Sequence, residues 1–204
     1  MKRIIFLVFL IFGVCFSQTG MKADKGESGF GVWLEASRLA DCDYCDQTTT
    51  VSLDYMFKFG LEIGFEAGFL KDVDDVDADV EYDIEGTSLA YHIKSYDGGN
   101  FSLGVSQREV IYEEFDYSLD ISEAYLSFYG RNKSFFTISQ QTIDVDFVEF
   151  ETEFISFGGI INFGKGGLLI GYKLNADDVE EAFEEEDFDL LKNGLLTLSL
   201  GGVF

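Results

Sequence analysis

Proline occurs nowhere among the 204 residues, while glycine occurs 22 times. Proline removes a ladder hydrogen bond wherever it enters a sheet, so its absence suits a chain of many long, fully paired strands. Cations are scarce as well: 14 Lys and Arg stand against 38 Asp and Glu, a formal net charge of -24. Phosphate contacts need a basic surface, and this balance excludes nucleic acid as a partner. A single His and three Cys leave little for zinc or imidazole chemistry. No apolar run reaches the roughly 20 residues that a membrane-spanning helix needs. What the chain has instead is 47% apolar residues, with 22 Phe. Such a composition fits neither a disordered acidic segment nor an ordinary soluble acidic domain.

The first residues carry an export signal. Met1, Lys2 and Arg3 make a positive start, Ile4 to Phe16 form an almost unbroken apolar stretch, and Cys15-Phe16-Ser17 precedes a cut ahead of Gln18. Residues 1–17 are therefore expected to be a signal peptide, removed together with Cys15. Phe12, Gly13 and Val14 fit poorly before a lipid-bearing cysteine. A short segment, 18–28, then leads into one domain over 29–204. Cys42 and Cys45 remain, in the stretch ADCDYCD. Three flanking Asp disfavour a reactive thiolate, and zinc lacks a second pair, so the expected role is a disulfide that pins a loop.

Beyond Gly29 the dominant signal is period two. Ten candidate strands follow: Phe30 to Arg38, Thr48 to Phe57, Leu61 to Phe69, Glu85 to Ser95, Phe101 to Tyr112, Leu119 to Gly130, Ser134 to Ile143, Thr152 to Phe163, Gly167 to Asn175 and Gly194 to Phe204. In LEIGFEAGF one face is Leu61, Ile63, Phe65, Ala67 and Phe69, and the other is Glu62, Gly64, Glu66 and Gly68. A soluble sandwich would set charge on the face opposite its apolar one. Here that face is small and mildly polar, which suits the crowded inside of a barrel. Every second connection is short, at 58–60, 96–100, 131–133 and 164–166. Those between are longer and acidic, at 39–47, 71–84, 113–118, 144–151 and 176–193. Short turns on one rim, longer loops on the other and an even strand number are the layout of a transmembrane β-barrel. The expected fold is all-β, an antiparallel up-and-down transmembrane barrel of about ten strands, with eight as the alternative.

With the signal peptide and the closing strand LLTLSLGGVF in view, the chain resembles a small bacterial outer-membrane β-barrel protein of the porin-like superfamily. In that family a C-terminal Phe on an alternating strand is read by the outer-membrane assembly machinery. Leu196, Leu198, Leu200 and Phe204 match that signal, and Gly202 stands where an aromatic residue is commoner. The resemblance implies the outer membrane as location, with its lipid and its assembly machinery as partners. It says little about activity.

Inward-facing candidates are Glu35, Asp54, Glu62, Glu66, His92, Lys94 and Arg108, with Tyr125 and Lys173. Isolated buried charges are costly, so these acids and bases are expected to pair. Glu62 and Glu66 with Lys94 and Arg108, on neighbouring strands, form the expected network. It serves either as a structural plug or as the lining of a narrow, cation-preferring pore. In the loop KDVDDVDADVEYD, Asp72, Asp74, Asp75, Asp77 and Asp79 offer oxygen ligands of the kind Ca²⁺ takes, without the Gly and terminal Glu of an EF-hand. With Glu180, Glu181, Glu184 to Glu186, Asp187 and Asp189 they make an acidic crown, a solvated surface or a site for divalent cations or a basic partner. No cofactor is expected beyond such Ca²⁺. Catalysis is not expected either, because His92, near Ser88 and Ser95, has no acid placed by spacing to orient its ring.

Overall fold

The computed structural model describes residues 28–39, 47–71, 81–94, 100–112, 117–130, 133–145, 148–177, 179 and 194–204. Alternation between two environments makes each long segment a strand. Ten form: β1 (Gly29–Leu39), β2 (Gln47–Met56), β3 (Leu61–Lys71), β4 (Glu81–Lys94), β5 (Asn100–Tyr112), β6 (Tyr117–Tyr129), β7 (Ser134–Val145), β8 (Val148–Phe163), β9 (Gly166–Asn175) and β10 (Leu195–Val203). Each pairs antiparallel with its neighbours in sequence, and β1 pairs with β10, so the sheet closes and leaves no edge. The eight-stranded alternative is thereby set aside. Residues 1–17, expected to be a signal peptide, nearly all of 18–28, Cys42, Cys45, the carboxylates Asp72, Asp74, Asp75, Asp77 and Asp79, and the run Glu180 to Asp189 lie outside the described residues.

The last residues hold the closure. Phe204 donates its N–H to the Phe30 carbonyl at 2.8 Å and accepts the Phe30 N–H at 3.0 Å. A row of facing residues starting at Glu149 passes through Asp144, Asp120, Glu109, Glu85, Ala67, Val51, Leu34, Leu200 and Leu168, and returns to β8 at Ile161. One circuit therefore advances 12 residues along β8, from 149 to 161. At a rise of ~3.3 Å per residue and ~4.8 Å between strands, that stagger tilts the strands by about 40°. On the short-turn rim Gly60 takes φ 98° and gives its carbonyl to the His92 N–H at 2.8 Å; a Cβ there would run into the His92 carbonyl.

The outside of the barrel is apolar where a soluble protein would be charged. Phe65, Leu103, Leu126, Ile161 and Leu200 are all about half exposed and point away from the lumen, as do many Phe, Leu and Val around the circumference. On β3 this face runs from Leu61 to Phe69, and on β10 from Leu196 on to Phe204 just past its end. Nine residues at ~3.3 Å each, tilted by about 40°, cover about 23 Å, close to the ~25 Å apolar band of membrane barrels. Toward the short-turn rim the belt turns aromatic: the row Phe101, Phe128, Phe136 and Phe157 faces outward, and Phe101 and Phe128 lie 4.9 Å apart. No helix among the described residues is long and apolar enough to cross a membrane, and the strands do the crossing.

Near the long-loop rim the pattern inverts. On β4, Leu89, Tyr91 and Ile93 face out while Ser88 and His92 face in, but further up Asp83 and Glu85 face out while Tyr82 and Ile84 are buried. On β6, Leu126 and Phe128 face out below, and Asp120 faces out above, with Leu119 and Ile121 buried. The register never slips; only the polarity of the two faces swaps. This inversion corrects the loop boundaries read from sequence. The acidic run 144–151 is mostly strand, since β7 continues to Val145 and β8 begins at Val148, and β4 likewise begins at Glu81 with Asp83 inside it. Acidic residues there mark an outer wall standing in water, where charge on a strand face has no desolvation cost.

Candidate functional site in the barrel lumen

Three levels fill the lumen. Under the long-loop rim lies an apolar cluster of Leu70, Tyr82, Ile84, Val110, Leu119, Ile121, Ile143, Phe154 and Leu195, every one buried. Toward the other rim lies a second cluster, Trp33, Tyr129, Phe135, Ile160 and Leu169, with Val203 packed against it. Between and beside them sit the charges. Large inward side chains settle over glycines of the neighbouring strand: Glu66 over Gly86, Tyr125 over Gly104 and Trp33 over Gly201. This pairing of large with small residues explains why the inward face reads as glycine and serine in the sequence.

Arg108 on β5 reaches across β4 to Glu66 on β3. Its Nε donates to Glu66 Oε1, and its second terminal nitrogen donates to Oε2 at 3.0 Å, a two-pronged pair in the wall of the lumen. Lys173 on β9 crosses β8 and β7 to Glu123 on β6 at 2.9 Å, and its ammonium lies 4.4 Å from the Phe154 ring centroid, against the apolar layer above. Glu62 faces His92, with 3.2 Å between Oε2 and Nε2, and the His92 ring lies 6.4 Å from that of Tyr129. Glu35 is buried in the lumen within electrostatic range of Glu66, Arg108, Lys173 and Asp54, and Asp54 is buried beside Gly64 and Ser88. Hydroxyls finish the wall: Ser37 and Thr48 lie 2.7 Å apart, and Ser127 and Thr137 2.8 Å apart.

Of the inward residues named from sequence, Glu35, Asp54, Glu62, His92, Arg108, Tyr125 and Lys173 are buried in the barrel, and Glu66 is partly buried on the same face. Lys94 closes β4, opposite Asn100. The pairing differs in detail from the expected network. Glu66 joins Arg108, but Glu62 sits nearer the short-turn rim and joins His92, since Tyr91 of β4 pairs with Leu61 and brings His92 beside it. Glu123 was not singled out from sequence. Its signal was there: it stands two residues from Tyr125 and so shares its face. The closing strand behaves as an ordinary barrel wall, with Leu198, Leu200 and Phe204 outward, Thr197 and Ser199 fully buried within, and the Lys165 ammonium 6.0 Å from the Phe204 ring.

No protein-family model matches the sequence, and no curated protein does. Among solved structures, the crystal structure of the N-terminal β-barrel domain of Pseudomonas aeruginosa OprF is 12% identical, covers 86% of this chain and 97% of its own, and superposes with a TM-score of 0.35. Neisserial surface protein A (NspA) is 11% identical, with 87% of this chain and 96% of that one covered and a TM-score of 0.34. The architecture rests instead on this chain's own register, closure and apolar exterior. On those grounds the chain is a closed, ten-stranded, up-and-down transmembrane barrel, with the architecture of a small outer-membrane β-barrel protein.

Proposed function

We propose that the protein is a bacterial outer-membrane barrel with a filled lumen, a non-conducting membrane protein that holds acidic loops outside the cell. The carrying observation is the apolar layer under the long-loop rim, whose members are buried on all sides and which lies directly above the Arg108–Glu66 and Lys173–Glu123 pairs. An ion entering from that rim would have to shed its water against hydrocarbon before it met a carboxylate. Export by residues 1–17 and assembly through the closing residues Leu196, Leu198, Leu200 and Phe204 complete this reading, with outer-membrane lipid and the assembly machinery as partners. His92 lies inside the barrel against Glu62, away from the outer face that a lipid-modifying site would use, which supports a role without catalysis. Planar-bilayer recording tests the proposal: the refolded barrel is expected to give no unitary conductance steps.

A narrow cation-preferring channel is the second reading, favoured by one observation. The described lumen holds Glu35, Asp54, Glu62, Glu66 and Glu123 against Arg108 and Lys173, an excess of negative charge. Cation-selective steps in the same recording would establish it and overturn the filled barrel. A third reading, a binding role for the loops, rests on the carboxylates Asp72, Asp74, Asp75, Asp77 and Asp79 as oxygen ligands for Ca²⁺. Ca²⁺-dependent protection of that loop from proteolysis, without conductance, is its signature.

A further inference from the structure

Among the described residues the lipid-facing wall carries an open recess. A groove of about 670 Å³ crosses β4 to β7, with Leu89, Leu103, Val105, Leu126 and Ile138 along its sides. Ala124 forms its floor, the smallest outward side chain in a row that reads Leu89, Val105, Ala124, Gln140 and Glu153. A volume of this size is within the range of ligand pockets. The groove begins inside the apolar belt and ends where the two faces exchange polarity. At that end Gln140 stands opposite Glu153, and its Nε2 donates to Glu151 Oε2 at 3.4 Å; all three side chains are exposed.

The two ends ask for one kind of occupant. An apolar trough continuous with the lipid-facing belt takes an acyl chain, because hydrocarbon is the only material at that depth. At its upper end the Glu153 carboxylate and the Gln140 amide oxygen line the groove as acceptors, the Glu151 carboxylate stands beside them on Gln140, and no Lys or Arg lines the groove. A headgroup of phosphate and hydroxyls alone would set like charge against like. An ammonium supplies three donors and the opposite charge. We propose that this groove binds a single membrane lipid with a primary-ammonium headgroup, its chain lying over Ala124 and its ammonium held by Glu151 and Glu153. The inference rests on the membrane-barrel reading.

Native mass spectrometry of the full-length mature barrel tests it, with equimolar phosphatidylethanolamine and phosphatidylglycerol as competing probes. The wild-type barrel is expected to retain one lipid, with the ethanolamine form in excess. Ala124→Trp fills the floor and is expected to abolish retention. The double change Glu151→Gln with Glu153→Gln leaves the trough intact, and is expected to keep a lipid while its headgroup preference falls roughly two- to fivefold, the scale of exposed charge pairs. Ile138→Trp, which narrows the trough from the side, serves if Ala124→Trp does not fold. Equal retention of both lipids, or retention unchanged in both tryptophan variants, overturns the proposal. Faster gel migration of the unboiled wild-type barrel is read in parallel. Its loss would sink the membrane reading itself, whereas a barrel that shifts normally but shows no preference sinks only the groove.

Discussion

Along β4 to β7 one continuous stretch of backbone meets two opposite solvents. In the lower part Leu103, Leu126 and Ile138 face outward while Ser102, Ser127 and Ser139 are buried. In the upper part Glu109, Asp120 and Asp144 face outward while Val110, Ile121 and Ile143 are buried. The lower zone is built as a membrane barrel and the upper zone as a soluble one, inside out relative to each other. Alternation therefore fixes which residues share a face, while polarity tells which medium that face meets. The level at which the faces exchange marks the upper edge of the membrane, and the charged lumen residues Arg108 and Glu123 lie at that same level on their strands.

The largest effect is expected where the two zones join. Arg108→Ala would leave Glu66 as a buried carboxylate beside Glu35 without its two-pronged partner. Breaking such a pair from one side costs about 3–5 kcal/mol. Urea unfolding in lipid vesicles measures it, and adding Glu66→Gln should recover part of the loss. A cost below about 1 kcal/mol would mean that the pair is solvated and the lumen open to water.

Next comes a contrast within β7. Ile143 is fully buried in the upper zone and Ile138 is 49% exposed to lipid in the lower. Ile143→Ala should leave a cavity and cost about 2–5 kcal/mol, as in a soluble core. Ile138→Ala should cost well under that, because lipid chains refill the space. Equal costs at both sites would erase the distinction between zones. On β6 the same contrast can be drawn with charge. Leu126→Arg places a cation in the hydrocarbon at about 2–4 kcal/mol, whereas Ser122→Arg, four residues higher and beside acids, should cost about 0–1 kcal/mol. Those two substitutions bracket the membrane surface between positions 122 and 126.

The lower zone was legible in the sequence and the upper zone was not. LEIGFEAGF and FSLGVSQR show apolar residues alternating with small ones, and their strand positions, their faces and the barrel class follow from that pattern alone. Stretches such as VEFE (148–151) and EYDI (81–84) alternate just as strictly, but the outward residues Glu149, Glu151 and Asp83 are acids, and acids between apolar residues read as loop. Composition outweighed periodicity there, and the strand ends were placed several residues short. Inward residues were recovered because face is a property of parity, while partners were not, because partners depend on the register between strands. Nothing in the order of residues shows that Lys173 spans two strands to reach Glu123, or that Tyr91 opposite Leu61 brings His92 to Glu62.

The smallest effect concerns the outer wall of the upper zone. Glu85, Glu109, Asp120, Asp144 and Glu149 face one another in a single row across five strands, all outward and exposed. Directly opposite like charges destabilise a sheet by tenths of a kcal/mol for each pair. Glu109→Lys turns two repulsive neighbours, Glu85 and Asp120, into attractive ones, and should stabilise the barrel by about 0.5–1 kcal/mol at low salt. Salt gives the sign an independent check. Raising ionic strength from about 0.01 to 0.15 M shortens the screening length from ~30 to ~8 Å, so it should stabilise the wild-type barrel and narrow the gap to the lysine variant. A gap that does not change with salt would mean that the row is neutralised by something other than screening, and a divalent cation bridging the strands of the acidic wall is the occupant that chelation would then remove.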